Sequence, residues 1–253
     1  MTTRQKRRFV DTSSVKIDTP TAIIRPSNVE QLLGAQVHQD LRWVEHILDS
    51  DNSLVQALNL RLGALKKVSS AASFKTRKTI ANGIFMSKLI YLMPLWSGCE
   101  DYLVNSLQVV QNKAARTVAK LSIFTPTKTL MKVCGWMSVR QLMAYHSLVL
   151  LHKTMASKSP VYLHQKITSG GHFPYKTRKA ATCPPGFSFT VSHPTDSGAI
   201  RQQSGSKLGI SKQGWCWNSV ELYNILPNDL RLDTKLPSFK KRLKDWIGLN
   251  IAT

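Results

Sequence analysis

A series of helix signals between Ser53 and Ser157 limits the possible folds more than any other feature of this sequence. Ser53, Ser73 and Ser138 are good N-cap residues, and each precedes a segment whose apolar residues recur every three or four positions. The predicted helices run from Ser53 to about Val68, from Ser73 to Pro94, from Glu100 through Leu121, over Thr127–Val133 and over Val139–Ser157. This spacing predicts an amphipathic helical bundle.

The segments on either side differ from the bundle. Residues 7–38 alternate and contain prolines, and we expect short antiparallel strands there, the last of them over Leu32–Val37 with a glycine inside it. Residues 168–214 are rich in Gly, Ser, Thr, Pro and Lys, which indicates a loop with at most a short strand at Phe187–Val191. The fold expected is mainly α: a small N-terminal antiparallel β unit, a helical bundle, a loop-rich segment and a short C-terminal helical region.

The bundle carries a strongly one-sided charge. Between Asn52 and Thr195 the chain has nineteen Lys and Arg but only two acids, Glu100 and Asp101. Both acids fall in the first turn of a predicted helix, where they complement the helix dipole. The net charge of the whole chain is +21. Such a field repels itself unless an anion neutralises it, and nucleic acid is the anionic partner we expect.

The sequence offers no pattern for metal or nucleophilic catalysis. Nucleotidyl transfer needs several convergent carboxylates to hold Mg²⁺. The pairs Asp40 with Glu45 and Asp49 with Asp51 fit a strand-to-helix connection and a helix cap instead. A zinc site is not expected, because the spacings among His172, Cys183, His193 and Cys216 match no compact zinc motif. Cys99 and Cys134 are expected to be core thiols, and no segment has the pattern of a membrane span.

The third predicted helix shows where the charge could be presented. Its apolar residues form a stripe that begins at Leu103 and ends at Leu121, and polar and basic residues occupy the opposite face. That face is either a solvated surface or one that follows phosphates, and the missing acids favour the second. The candidate nucleic-acid-binding residues are Lys66, Lys67, Lys75, Arg77, Lys78, Asn105, Gln108, Asn112, Lys113, Arg116 and Lys120. Phe74 and Tyr175, which also have basic neighbours, are weaker candidates for stacking on bases.

The chain resembles the region after the catalytic domain in reverse transcriptases of non-LTR (LINE-like) retrotransposons. The resemblance rests on the order and spacing of several runs along the chain. They are Ile24-Arg25-Pro26-Ser27 with Gln31-Leu32-Leu33-Gly34, Asp40-Leu41-Arg42-Trp43-Val44-Glu45-His46-Ile47, Arg77-Lys78-Thr79-Ile80-Ala81-Asn82-Gly83-Ile84-Phe85, Leu89-Ile90-Tyr91-Leu92-Met93-Pro94-Leu95-Trp96, Leu107-Gln108-Val109-Val110-Gln111-Asn112-Lys113-Ala114-Ala115-Arg116, Gly135-Trp136-Met137-Ser138-Val139, and Trp217-Asn218 with Leu226-Pro227 and Phe239-Lys240-Lys241-Arg242-Leu243.

The resemblance implies that residues 20–40 contribute to gripping the primer end and that 53–157 form the thumb that holds template–primer duplex. Together with the composition it predicts four parts: the end of the palm and its primer grip over 1–50, a thumb-like helical domain over 51–160, a flexible loop-rich linker over 161–214 and a C-terminal helical extension over 215–253. The family's catalytic Ala-Asp-Asp turn lies upstream of this region, and this sequence has no adjacent Asp pair. The chain is therefore expected to be a non-catalytic fragment of an RNA-directed DNA polymerase, with Mg²⁺ needed only by the full-length parent.

The expected partners are RNA or an RNA–DNA hybrid and the palm and fingers of the parent protein, with no membrane. The expected location is an intracellular ribonucleoprotein in the nucleus or cytoplasm. An alternative is a domesticated helical module that binds a protein, which an exposed apolar patch on the helix over 139–157 would favour. A third class, an enzyme acting alone, would need a metal site that the sequence does not offer.

Overall fold

A computed structural model describes residues 17–18, 23–24, 27–38, 42–170, 188–191 and 215–251, with side chains for 27–38, 42–164 and 218–251. The fold is mainly α, as the sequence predicts. The strands are β1 (Ile17–Asp18), β2 (Ile23–Ile24), β3 (Val29–Leu32), β4 (Ala35–His38), β5 (Ile167–Gly170) and β6 (Ser188–Val191). The helices are α1 (Leu54–Ser69), α2 (Phe74–Ala81), α3 (Ser87–Ile90), α4 (Met93–Trp96), α5 (Asp101–Ala119), α6 (Thr127–Cys134), α7 (Val139–Ser157), α8 (Val161–Lys166), α9 (Trp215–Ile225), α10 (Asn228–Arg231) and α11 (Leu236–Asn250). Two π-helical turns span Glu45–Asp49 and Asn82–Met86.

The N-terminal unit consists of two antiparallel pairs, β1 with β2 and β3 with β4. The prediction of one strand over Leu32–Val37 was wrong, because the chain reverses at Leu33 and Gly34, which both have positive φ. Two such residues form the tight turn that matches the twist of a hairpin. The Tyr91 hydroxyl donates to the Leu33 carbonyl at 2.9 Å and so ties the tip of the hairpin to the helices.

A π-helical turn, Glu45–Asp49, joins this hairpin to the bundle. Within it His46 is buried, and its Nδ1 accepts a hydrogen bond from the Gln36 amide at 3.3 Å. Burial, together with the nearby Lys88 ammonium, lowers the pKa of His46 to about 4. The neutral imidazole is therefore the form that holds β4 against the bundle.

The helix boundaries follow the capping residues named from the sequence. The Ser53, Ser73 and Ser138 hydroxyls accept hydrogen bonds from the amides three residues later, and Ser138 forms a full capping box with Gln141. Gly135 ends α6 with a φ of 63°. These three predicted starts and the predicted end at Gly135 are confirmed.

The second predicted helix is interrupted twice before its predicted end at Pro94. The helical chain from Phe74 to Ile90 contains the Asn82–Met86 π turn and then breaks at Leu92, which has a φ of 54°. Pro94 lies in the first turn of α4 and can lack its amide hydrogen bond there. The break lets Met93 and Trp96, both fully buried, enter the main core with α1, α5 and α7.

The C-terminal helices pack directly against α7. Their shared core is formed by Ala144, Leu148, Leu151, Val220, Tyr223, Leu226, Leu230, Phe239, Leu243 and Ile247. Within it the His152 and Phe239 rings stack with centroids 3.8 Å apart. The segment expected to be an extension, 215–253, thus supplies the layer that covers the apolar face of α7.

Between α7 and α9 the structure describes α8 and the β5–β6 pair, in which Ile167 faces Val191. The strand predicted at Phe187–Val191 is confirmed as Ser188–Val191, but the prediction of a loop from residue 168 was wrong, because Ile167–Gly170 form the strand that pairs with it. The rest of the predicted loop, residues 171–187 and 192–214, lies outside the described residues. The same holds for Tyr175 and for the side chains considered for zinc, His172, Cys183, His193 and Cys216.

Candidate nucleic-acid interface

The candidate interface is built around α5. The predicted apolar stripe is buried from Leu103 to Val118, while Leu121 lies past the helix end and is exposed. The buried face is wider than the stripe, because Val104, Gln111 and Ala115 are buried as well. Neighbouring helices therefore cover more of α5 than the spacing of its apolar residues indicates.

The C-terminal end of α5 meets α1, α2 and α6 in a small separate core. Its buried members are Leu65, Ala81, Ala115, Val118, Leu130, Met131 and Cys134. Eight lysines stand on these same helices around the core, and we call them the basic end of the bundle. They are Lys66, Lys67, Lys75, Lys78, Lys113, Lys120, Lys128 and Lys132. All are exposed except Lys78, which is half-buried beside Gly135.

Arg77 holds this end together from inside. Its side chain is 6% exposed, and Nε donates to the Val118 carbonyl at 2.7 Å while Nη1 donates to the Ala72 carbonyl at 2.5 Å. The cation therefore sits at the C-terminal end of α5, where it complements the helix dipole. Arg77 was predicted as a nucleic-acid contact, but its guanidinium is directed at protein carbonyls and its role in this geometry is to position α2 against α5.

Three more of the predicted contacts form a polar joint between helices. Gln108 donates from Nε2 to Asn112 Oδ1 at 2.9 Å and accepts from the Val139 amide at 2.8 Å. Asn112 donates to Thr127 Oγ1 at 2.8 Å, and Arg116 donates to the Thr125 carbonyl at 3.2 Å. The face predicted to point away from the core is thus partly covered, because these side chains are long enough to reach α6 and α7.

The other predicted contacts remain at the surface. Asn105 and Lys113 are exposed on α5, and Lys120 is the residue that ends this helix, with a φ of 52°. Lys66, Lys67 and Lys75 are exposed on α1 and α2. Two further exposed lysines of the basic end, Lys128 and Lys132, were not among the predicted contacts. Their four-residue spacing on α6, opposite its buried apolar residues, was the available signal.

The charge of the basic end is not balanced by neighbouring acids. Among the described side chains, no carboxylate lies within ion-pair distance of any of the eight lysines. Glu100 and Asp101 lie at the opposite end of α5, a helix of 19 residues that is about 28 Å long. Asp101 is also paired with Arg140 at 2.9 Å. The positive potential at the basic end is therefore available to an anion.

Among the described residues of this end, Ile123 and Phe124 have the most exposed apolar side chains. Ile123 and Phe124, in the connection between α5 and α6, are 74% and 87% exposed. Phe74, the aromatic residue named from the sequence, is 41% exposed at the start of α2. The connection was not singled out by the sequence, because an apolar pair after a helix is equally consistent with burial.

The described part of the chain can also be compared with the patterns of a metal site, a membrane span and a reactive cysteine. No three His, Cys, Asp or Glu side chains are grouped there to hold a metal ion, and no described helix is long and apolar enough to cross a membrane. Burial raises the pKa of the Cys99 thiol to about 12 and also raises that of Cys134, which fits the prediction of core thiols.

The geometry of the basic end suits backbone contacts to a nucleic acid. Lysine ammonium groups on flexible stems can follow phosphates without reading bases, and the buried Arg77 and the polar joint fix the helices that carry them. Comparisons of this chain with protein-family models, with curated proteins and with solved structures found no match.

Proposed function

We propose that this chain binds template–primer nucleic acid, an RNA or RNA–DNA duplex, through the basic end of its helical bundle. The observation that carries the proposal is the set of eight lysines around one small core with no described carboxylate in ion-pair distance. The proposed role is the one that the sequence resemblance implies for residues 51–160, namely a thumb of the kind found in non-LTR reverse transcriptases.

The chemistry of the surface argues for backbone recognition. Lysine is a hydrated point charge, which attracts phosphate without the two-pronged geometry that arginine uses to read guanine. The two arginines nearest to this surface, Arg77 and Arg116, bond to carbonyls of the protein instead. A surface that contacts phosphates through lysines can bind a duplex of any base sequence, as a protein that moves along a duplex requires.

Salt-dependent binding tests the proposal. The affinity of the chain for an RNA–DNA hybrid would be measured by fluorescence anisotropy over a series of salt concentrations. Each phosphate contact contributes about one to the slope of log affinity against log salt. We expect a steep negative slope, and a slope near zero would refute the proposal.

A matched pair of triple variants locates the interface. Replacing Lys75, Lys120 and Lys128 by Gln removes three charges from the basic end. Replacing three exposed lysines of α11, Lys240, Lys241 and Lys244, by Gln removes the same charge elsewhere. We expect the first variant to reduce the slope by about 2 to 3, whereas the second changes it little. Equal effects would mean that binding follows net charge and not this surface.

The alternative, a protein-binding module that uses α7, lacks the feature that would favour it. The large apolar residues of α7 are buried or half-buried, and none of them is among the exposed large apolar residues of the described chain. The exposed residues of α7 are Arg140, Lys153, Ala156 and Ser157, which form no large apolar patch.

A further inference from the structure

The connection between α5 and α6, residues 120–126, places apolar side chains in solvent between two exposed lysines along the chain, Lys120 and Lys128. Ile123 and Phe124 together expose most of their side chains. Burying side chains of this size stabilises a folded protein, and here the fold forgoes that contribution. Single exposed apolar residues are common, so exposure alone assigns no role to this pair.

The connection has a defined shape that does not depend on burying these side chains. The Phe124 amide donates to Ser122 Oγ at 3.3 Å, and the Thr125 amide donates to the Ser122 carbonyl at 3.1 Å. Arg116 donates to the Thr125 carbonyl, which fixes the far side of the turn to α5. The turn therefore fixes the backbone from which the Phe124 ring projects, so that a ligand which binds the ring has to order only its side chain.

The charges around the ring indicate what could cover it. Lys120 precedes the turn and Lys128 follows it in the first turn of α6, and both are exposed. Lys113 is exposed on α5, and no described carboxylate pairs with any of the three. A ligand that binds both the lysines and the ring must present anionic groups beside a flat apolar surface. Nucleic acid has this combination, because each base is flanked by phosphates.

We propose that Phe124, supported by Ile123, stacks on an unpaired base where a nucleic-acid duplex passes into single strand. This inference rests on the proposed function and names a part of the ligand that the lysines do not recognise. Inside a duplex both faces of a base are covered by its neighbours, so an exposed ring finds a free base face only at an unpaired position or at an end. The lysines would hold the phosphates on either side of that base.

The test compares two ligands and three variants. The ligands are a blunt RNA–DNA hybrid and the same hybrid with a short single-stranded overhang that carries 2-aminopurine beside the duplex. The variants are Phe124→Ala, Phe124→Trp and Tyr162→Ala. Tyr162 is a matched control, because it is an aromatic residue 64% exposed on α8, which is not one of the helices of the basic end.

Stacking of one base contributes roughly a fivefold to hundredfold gain in affinity. We expect Phe124→Ala to lose about tenfold in affinity for the overhang hybrid and to affect the blunt hybrid much less, because free base faces occur there only at the two terminal pairs. The salt slope should be unchanged, because no phosphate contact is removed. Phe124→Trp should retain the affinity and the quenching of 2-aminopurine, and Tyr162→Ala should behave as the unsubstituted chain.

The possible failures are distinguishable. If Phe124→Ala weakens both hybrids equally, or weakens neither, the stacking proposal is overturned while a steep salt slope still supports the proposed function. If the unsubstituted chain binds no hybrid at low salt, the proposed function itself fails. If Phe124→Ala loses binding to anionic phosphatidylserine vesicles and keeps its affinity for the overhang hybrid, the ring inserts into lipid and the proposal is also overturned.

Discussion

The two ends of α5 are stabilised by opposite charges and by different kinds of contact. At the N-terminal end Asp101 pairs with Arg140, and the two side chains are 78% and 51% exposed. At the C-terminal end the buried Arg77 bonds to the carbonyls of Val118 and Ala72. Asp101 and Arg77 each place a charge that complements the helix dipole. Among the described side chains, Asp101 is paired with an opposite charge, that of Arg140, whereas the partners of Arg77 are neutral carbonyls. A helix can therefore be stabilised at both ends and still leave one end of the domain strongly positive.

The largest effect should come from removing the buried cation. Arg77→Met should lower the free energy of unfolding by roughly 3 kcal/mol, because two carbonyls lose a charged donor inside the protein. Urea unfolding followed by circular dichroism would measure this loss. A loss under about 1 kcal/mol would mean that Arg77 is not what joins α2 to α5, and the contrast between the two ends of the helix would no longer hold.

The second effect is a dependence of the free energy of unfolding on pH. It arises at the N-terminal end of α5, against which the π turn that carries His46 packs. Because the folded pKa of His46 is about 4 and the unfolded pKa is about 6.5, the unfolded chain binds more protons between these values. Stability should therefore fall as the pH falls from about 6.5 to about 4, by roughly 2 kcal/mol from this group.

Comparison with His46→Gln isolates that contribution. Burial also lowers the pKa of His146 and of His152, but both remain in the variant and act on its stability in the same way. Unfolding free energies measured across this pH range should fall less steeply in His46→Gln than in the unsubstituted chain. Parallel curves for the two proteins would assign the pH dependence to groups elsewhere.

A smaller effect should have opposite signs for stability and for binding. Lys120 ends α5 in a left-handed conformation that favours glycine. Lys120→Gly should raise the free energy of unfolding by about 0.5 kcal/mol, since relief of strain exceeds the entropy that glycine adds to the unfolded chain. The same change should weaken hybrid binding and reduce the salt slope by about 1.

Lys158→Gly is the matched control for that change. Lys158 ends α7 with a φ of 53°, almost the same conformation as Lys120, but α7 is not one of the helices of the basic end. Lys158→Gly should raise the free energy of unfolding by a similar amount and leave hybrid binding unchanged, as measured by urea unfolding and fluorescence anisotropy. Weaker binding in both variants would show that the interface extends beyond the basic end.

The smallest effect is expected at the acidic end. Arg140→Gln breaks the pair with Asp101, in which both side chains are more than half exposed. Pairs of this kind contribute less than about 1 kcal/mol, and salt screens them. Urea unfolding at low and high salt should show a slight loss that disappears at high salt. A loss as large as that of Arg77→Met would contradict the proposed difference between the ends.

The sequence predicted those features that depend on local spacing. The serine caps, Gly135 and the α5 stripe each involve residues within a few turns of one helix, and the structure confirms them. Arg77 could not be recognised in this way, because its partner Val118 is 41 positions along the chain. The hairpin at Leu33 was missed because leucine seldom adopts positive φ, so only its neighbour Gly34 suggested a turn.

The sequence predicted that the candidate interface would be positively charged but not which residues would be exposed on it. The excess of lysine over acid is visible in the sequence, whereas which polar residues stay exposed depends on how α6 and α7 cross α5. Gln108 and Asn112 were equally polar in the sequence and became part of a joint between helices. Phe124 could not be singled out, since the exposure of an apolar residue in a connection depends on whether another element covers it.

The π turn at Asn82–Met86 bears on how many residues the helical segment from Phe74 to Ile90 can contain. Buried residues recur every four positions at Arg77, Ala81, Phe85 and Leu89, and in a regular α-helix each such step would advance by about 40° around the axis. The extra residue in a π turn takes up part of this drift. Deleting one residue there, such as the solvent-facing Gly83, would remove the extra residue and leave Arg77 and Phe85 seven residues apart, close to two regular helical turns and so on the same face. The orientation of the basic end should therefore survive the loss of one residue at this turn.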